Sequence, residues 1–542
     1  MAESNNVDCA QTENPAFCQS SITNLHIHGL HISPRGRADG LQYDSDDIRV
    51  HIDPGKWKEY IFTLPQNHMG GTHWYHPHHH HSATLQTGGG AAGVVIIDDP
   101  DGYLPIEYSS MPEKVLLITK HSLSNLQYVA RMASSNDWFE YGLSEAPRFG
   151  GDSILLVNGQ NRPRLTISSH VWYRLRMVYS AVEETLSLAV RGHVTCSLQL
   201  IAKDGIYLHR IPRAITTIHL CPGARADVAI ACSCTNHLCN GTLVSSVSPA
   251  ISTEPGSDAS FVPPKQSADH PSFGPDSMGW GHADVEVLTL QVEESAVDSV
   301  TIALPVIDLP RPCYLADLRS AAVPKNNSGK IFFNEFSRTG KAVQWNKRGR
   351  SMTFANVHAE GKNMTSWPPL AYFATGSVYE LMVNGANFHP MHFHVNPFQI
   401  IDMGGVASLS GGYFMAGDWH DTLYLRDIGL GYSLKVRMNV DSFTGKMVVH
   451  CHNLSHEDEG MMAWIDLTGT EGATYPAATM LQPGCYKGAF ALVSPRLGAP
   501  SAQMGDASEM SFFRELTGMP HSALIVVALC SVSMVARRTW KQ

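Results

Sequence analysis

Histidines in this chain recur one residue apart: His26-Ile27-His28, His76-Pro77-His78, His392-Phe393-His394 and His450-Cys451-His452. Side chains on an extended strand alternate faces, so two residues separated by one point the same way. Each pair therefore offers two imidazoles to one side of a sheet. Four pairs supply eight nitrogen ligands, enough for three copper ions at two or three imidazoles each, and imidazole suits copper among other metals. A single such pair turns up on surface strands by chance, and two pairs can hold structural zinc. Four pairs with a cysteine inside the last go beyond either reading.

That cysteine carries the most specific information. In an extended segment Cys451 faces away from His450 and His452, so one strand touches two metal sites on opposite faces, joined by a short covalent path. His389 precedes the third pair, and His456 and Met461 follow Cys451. A thiolate, two imidazoles and a weak axial thioether make the donor set of a blue-copper electron-transfer site. The expected ligands there are His389, Cys451 and His456, with Met461 axial.

The rest of the chain predicts an all-β protein. Short apolar runs such as Val94-Val95-Ile96-Ile97 and Leu198-Gln199-Leu200-Ile201 lie between turn residues, and 45 glycines and 31 prolines punctuate the 542 residues. No long segment repeats apolar residues at a helical period. Ile154 to Gln160, Trp172 to Arg176 and Ser21 to Leu25 read as strands. Residues 1–110 form a first block with two histidine pairs, 111–295 a second, and 330–488 a third with the remaining motifs. The Ser, Pro, Gly and Asp-rich stretch at 250–282 reads as a long loop, and 489–542 as a tail. The net charge of −10 is spread out. No basic stripe interleaved with aromatics is present, which argues against a nucleic-acid partner.

Of 11 cysteines, Cys451 belongs to the motif and Cys530 to the apolar tail. Among the other nine, Cys232, Cys234 and Cys239 read either as a zinc half-site or, the preferred reading, as disulfide partners in an oxidising compartment. Acceptor patterns for glycosylation at Asn240, Asn326 and Asn363 point the same way. The expected location is extracytoplasmic. Residues 1–18 lack the apolar core of a signal peptide. Residues 523–536 are apolar and followed by Arg537 and Arg538, as in a stop-transfer anchor, yet shorter than the roughly 20 residues of a spanning helix. A C-terminal membrane anchor and a tail that does not span are both open.

On these motifs the chain resembles the three-domain multicopper oxidases of the laccase and bacterial copper-oxidase type, over about residues 20–470. Gly71-Thr72-His73-Trp74-Tyr75-His76-Pro77-His78 is similar to the family's second motif. Val157-Asn158-Gly159-Gln160 and Pro222-Gly223-Ala224-Arg225-Ala226-Asp227 resemble its middle domain. His450 through Met462 is nearest to bacterial members with an axial methionine. The resemblance implies three consecutive cupredoxin-like β-sandwiches and four copper ions: one type 1, one type 2 and two type 3. It places the type 2 ion on His26 and His392, one type 3 ion on His28, His76 and His452, and the other on His78, His394 and His450. The implied activity is one-electron oxidation of a small reductant (a phenol, an aromatic amine or a metal ion) coupled to four-electron reduction of dioxygen to water.

That reduction consumes protons, and the resemblance singles out Asp39 and Glu457 as the acids that supply them. Their bland alternatives are a turn residue and a surface carboxylate. Glu457, Asp458 and Glu459 beside His456 would favour a cationic reductant, the alternative being solvated acids on a loop. His79, His80 and His81 are expected on a solvated loop, the alternative being an extra metal-capture patch. Relatives carry more strands ahead of the first histidine pair, so the first domain is expected to be N-terminally truncated. The competing functional class is a non-catalytic copper-binding relative, which would have lost ligands; every ligand position here is filled. A two-domain nitrite reductase fails on chain length and on the number of histidine pairs.

Overall fold

In the computed structural model of the chain, residues 21–35, 46–48, 50–122, 153–234, 239–245, 285–294, 301–336, 340–346, 353–355, 368–387, 389–425 and 434–489 are described. Asp39, Cys9, Cys18, Cys530, Asn363, the 250–282 segment and the apolar 523–536 stretch lie outside them.

The apolar runs become strands, as their alternation and β-branched content dictate. The first block contributes an antiparallel three-stranded sheet of His26–His28, Gly71–His76 and Gly93–Ile97. Its apolar cluster joins Ile27, Leu30, Ile32 and Ile97 to Phe62, Leu64, Tyr75 and Val95. The middle block has a seven-stranded sheet, with Tyr173–Ala181, Arg225–Cys234 and Val194–Lys203 side by side, and a five-stranded sheet centred on Asn240–Ser245. The third block repeats the plan. Ser377–Asn384 and Leu434–Val440 run through a seven-stranded sheet, and Met391–Phe393, Gly445–Cys451 and Met462–Thr468 are consecutive in a five-stranded one. Phe393 and Phe398, one from each sheet, meet edge to face at 5.6 Å.

Strand Arg225–Cys234 is buried on both faces over its first eight residues, although it begins with an arginine and an aspartate. The polar groups are tolerated because they are paired. Thr72 of the first block donates to Asp227 at 2.7 Å, and Arg174 and Arg176 converge on the same carboxylate. A buried polar seam thus ties the first and middle blocks together. Lys203 and Arg213 do the same between middle and third blocks, both reaching Asp418 at 2.7 Å.

Several sequence expectations change. Ser21 to Leu25 is not a strand; Thr23 alone makes a bridge, to Ile52. The strand read as Ile154 to Gln160 ends at Val157, because Asn158 and Gly159 turn the chain at φ 50° and 77°. The zinc half-site is excluded, since Cys232 pairs with Cys196 and Cys234 with Cys239; Cys313 pairs with Cys485. Among the described residues Cys221 and Cys451 form no disulfide, and both are buried.

Candidate metal centre

Strand register brings the histidine pairs together. His26 lies opposite His76 in the first sheet, and His392 opposite His450 in the third. Face alternation within a strand accounts for the first pair only. His78, His394 and His452 each fall just past a strand end, so three of the pairs crown the sheets rather than lie along them. The eight rings form one cage. The Nε2 atoms of His78, His394 and His450 are mutually 3.1, 3.2 and 3.3 Å apart. His452 Nε2 is 3.2 Å from His28 Nδ1. His26 stacks on His394 at 4.1 Å and His28 on His392 at 3.8 Å, while His26 and His392 are 6.1 Å apart between ring centres.

This cage fits metal. Burial, reinforced by neighbouring rings, lowers His28, His76, His78, His392, His450 and His452 well below the usual histidine pKa. His26 is brought down to about 4, again chiefly by burial. These seven imidazoles are therefore neutral at physiological pH, the form that ligates. Buried Nε2 atoms of His26, His76 and His392 have no hydrogen-bond partner, a costly arrangement for groups that serve only the fold.

The second cluster is smaller and nearer the surface. His389 Nδ1 and His456 Nδ1 are 3.1 Å apart, and Cys451 Sγ lies 3.6 and 3.7 Å from them. Ligands held about 2.0–2.3 Å from a single ion are separated by roughly 3.3–3.8 Å, so one ion fits. The Asn453 N–H donates to Cys451 Sγ at 3.4 Å, and fully buried Met461 is tied to the cluster by Cys451 N–H donating to its carbonyl at 3.1 Å. His456 is 9% exposed and His389 5%, whereas no cage histidine exceeds 2%. This cluster is thus the outer of the two, and His450-Cys451-His452 spans both.

Around the cage stand residues without a legible sequence signal. Asp46 accepts from Nδ1 of His26 and, at 2.7 Å, from Nδ1 of His394, joining ligands of the first and third blocks. Burial would raise its carboxyl; the two histidines outweigh that and lower it. Thr422 Oγ1 lies 2.9 Å from His28 Nε2 and 3.0 Å from His392 Nδ1, and Asp421 Oδ1 lies 3.2 Å from His28 Nε2. With its Nε2 so engaged, His28 turns Nδ1 to the cage. Such partners fix ring orientation and tautomer. Trp74 stacks on His76 at 4.2 Å.

Glu457 is fully buried in the short helix Leu454–Asp458, with its carboxylate 3.2 Å from His78 Nδ1 and 3.3 Å from His450 Nδ1. Successive helical residues are about 100° apart, so His456 reaches the outer cluster while Glu457 reaches the cage. Burial, then Asp458, pushes the Glu457 carboxyl well up. Asp458 is also buried, raised by burial to about 7, and accepts backbone N–H bonds from His81 and Thr84. The surface acidic patch anticipated beside His456 therefore does not form from these two residues, which point inward because their partners are there. The expected solvated loop is also corrected: His80 and His81 are 5% and 8% exposed and pack at 3.9 Å between ring centres.

Comparison with known proteins now adds to this geometry. Three family models, each described as multicopper oxidase, match residues 12–102, 69–237 and 339–468. A bilirubin oxidase of Albifimbria verrucaria is 24% identical over 469 residues, 85% of this chain and 69% of the relative. A laccase of Bacillus subtilis is 23% identical over 433 residues, 76% and 73% of the two chains. Among solved structures, a metallo-oxidase from Campylobacter jejuni shares the fold at TM-score 0.52 and 20% identity, covering 83% of this chain and 81% of that one. McoA of Aquifex aeolicus does so at TM-score 0.55 and 17% identity, covering 83% and 86%. With family matches running through every segment that carries a histidine pair, the chain belongs to the multicopper oxidases, oxidoreductases of cupredoxin fold that use dioxygen as electron acceptor.

Proposed function

We propose that this chain binds four copper ions and passes electrons singly from a small reductant at the His456 edge to dioxygen in the histidine cage. The type 1 ion would be held by His389, Cys451 and His456, with Met461 as a further, weaker ligand. Within the cage, His78, His394 and His450 would hold one type 3 ion, supported by their Nε2 separations of 3.1–3.3 Å. His28, His76 and His452 would hold the other, with His28 ligating through Nδ1. His26 and His392 would hold the type 2 ion, supported by their buried, unpartnered Nε2 atoms. Copper, when bound, supplies the one-electron redox steps.

The observation that carries this reading is one strand end serving both clusters. Cys451 faces His389 and His456, while His450 and His452 on either side enter the cage. The path from sulfur to either ring is covalent and a few bonds long. Reduction of dioxygen to water also needs protons, and Glu457, buried against His78 and His450, is proposed to deliver them to the cage, with Asp39 as a second donor. An extracytoplasmic location is proposed on the strength of the disulfides, which persist in oxidising compartments.

Oxygen uptake by the copper-loaded protein, measured with a panel of phenols, aromatic amines, Fe(II), Cu(I) and Mn(II), identifies the reductant. Four electrons consumed per dioxygen is the expected stoichiometry. Full copper loading with no uptake from any donor would leave only the non-catalytic alternative.

A further inference from the structure

The middle block supplies none of the cage histidines, yet Arg225 from that block reaches the cage's surroundings. We propose that Arg225 is a positioning residue for the corner of the cage formed by His28 and His392, acting through Asp421 and Thr422. This rests on the copper assignment proposed above.

Arg225 has no exposed side-chain surface, and each of its five N–H groups has an acceptor. Nε donates to Thr72 O at 3.3 Å in the first block. Nη1 donates to Gly223 O at 3.0 Å in the middle block and to Asp421 Oδ1 at 2.7 Å in the third. Nη2 donates to Asp204 O at 2.8 Å and to Asp421 Oδ2 at 2.5 Å. The fork-to-carboxylate geometry fixes the plane of the Asp421 carboxylate, which a point charge would leave free to rotate.

Asp421 then transmits that orientation. Its Oδ1 accepts from Thr422 Oγ1 at 2.8 Å and lies 3.2 Å from His28 Nε2, and its backbone carbonyl accepts from His392 Nδ1 at 2.9 Å. Thr422 Oγ1 sits between the two rings. The outward nitrogens of one ligand from the first block and one from the third are thus held by residues 421–422, which a residue of the middle block holds in turn. Close approach is built in. Gly29, directly after His28, adopts φ +93°, and a Cβ there would lie 2.1 Å from Arg225 Nη2. A cavity of about 260 Å³ is lined by Arg225, His420 and Thr422 among others. Without the fork, water from that cavity would compete for Asp421 and Thr422 and release the rings.

The test uses the full-length copper-loaded protein with Arg225→Met, which removes the fork, and Arg225→Lys, which keeps a positive charge but has three donors. Copper per chain, the visible thiolate-to-copper band and the type 2 electron paramagnetic resonance signal are measured, with chelator titration of the most weakly held ion. In both variants the visible band is expected to keep parental intensity. The type 2 hyperfine pattern is expected to change, and the chelator concentration that strips the ion to fall about 10–100-fold. If Arg225→Met does not fold, Arg225→Lys decides alone. Parental type 2 spectra and parental chelator resistance in Arg225→Lys overturn the proposal, whatever the melting temperature does. A parent protein without a type 2 signal would instead sink the copper assignment, and this clamp with it.

Discussion

Gly223→Ala adds one methyl group at the point where the middle block touches the cage. Gly223 sits at φ +86°, and an ideal Cβ built there lies 2.8 Å from Cδ2 and Nε2 of His452 and 3.0 Å from Cε1 of His28. Two costs follow, and they are separable. An L-residue in the left-handed region costs about 1–2 kcal/mol, independent of metal. Carbon contacts are comfortable from about 3.5 Å, so the His452 ring must retreat by roughly 0.7 Å. Metal sites tolerate ligand-distance errors of only about 0.2 Å, so this shift is expected to weaken copper binding at the His28–His452 edge by about 10–100-fold, as other supporting-shell lesions do. That range corresponds to roughly 1.4–2.8 kcal/mol. Denaturant unfolding of copper-free and copper-loaded protein, with copper counted in each, separates the two. The copper-free variant should lose about 1–2 kcal/mol, and the loaded variant measurably more, with less than full copper. Equal losses in both forms at full copper would refute the packing argument and leave only backbone conformation.

Three further outcomes are expected. Cys451→Ser should abolish the strong visible thiolate-to-copper band while leaving the cage's copper in place; a retained band would contradict the assigned ligand. Asp46→Asn keeps the shape but loses an acceptor shared by His26 and His394. It should weaken cage copper about 10–100-fold in chelator titration with the visible band intact, and parental resistance would show the carboxylate to be dispensable. Burial would raise the Asp418 carboxyl, but Lys203 and Arg213 outweigh it and hold it below the usual range. Its contribution is therefore complete above the unfolded aspartate pKa of about 4 and is lost as pH falls through the lower folded value. Asp418→Asn should cost about 3–5 kcal/mol at neutral pH by stranding buried Lys203. That penalty should shrink on acidification, and a constant penalty would count against the ion pair.

Much of the candidate site was legible because its ligands obey local rules. The HxH spacing follows strand geometry in full only at His26–His28, the other three pairs running past a strand end, and the placing of Cys451 between two histidines identifies a second cluster on the opposite face. Glu457 was legible only through family resemblance. Asp46 was not legible at all: it lies 18 residues beyond His28, and no spacing rule links a loop carboxylate to a ring 348 residues away in His394. Asp421 and Thr422 likewise carry no motif. Arg225 stood in a recognised segment, Pro222 to Asp227, without a role until its five hydrogen bonds were visible. The inward turn of Asp458 was not legible for the same reason, since exposure depends on what packs over a loop.

The order of residues alone determined an all-β chain, the metal-binding chemistry of its histidine pairs, and the coupling of two clusters through Cys451. These follow from backbone alternation and ligand chemistry, which act over a few residues. Only the tertiary structure decided which rings share an apex, which nitrogen of His28 faces the cage, and which charges from the other two blocks hold those rings still. Such facts depend on contacts between segments hundreds of residues apart, where burial and hydrogen-bond geometry, rather than spacing along the chain, set the outcome.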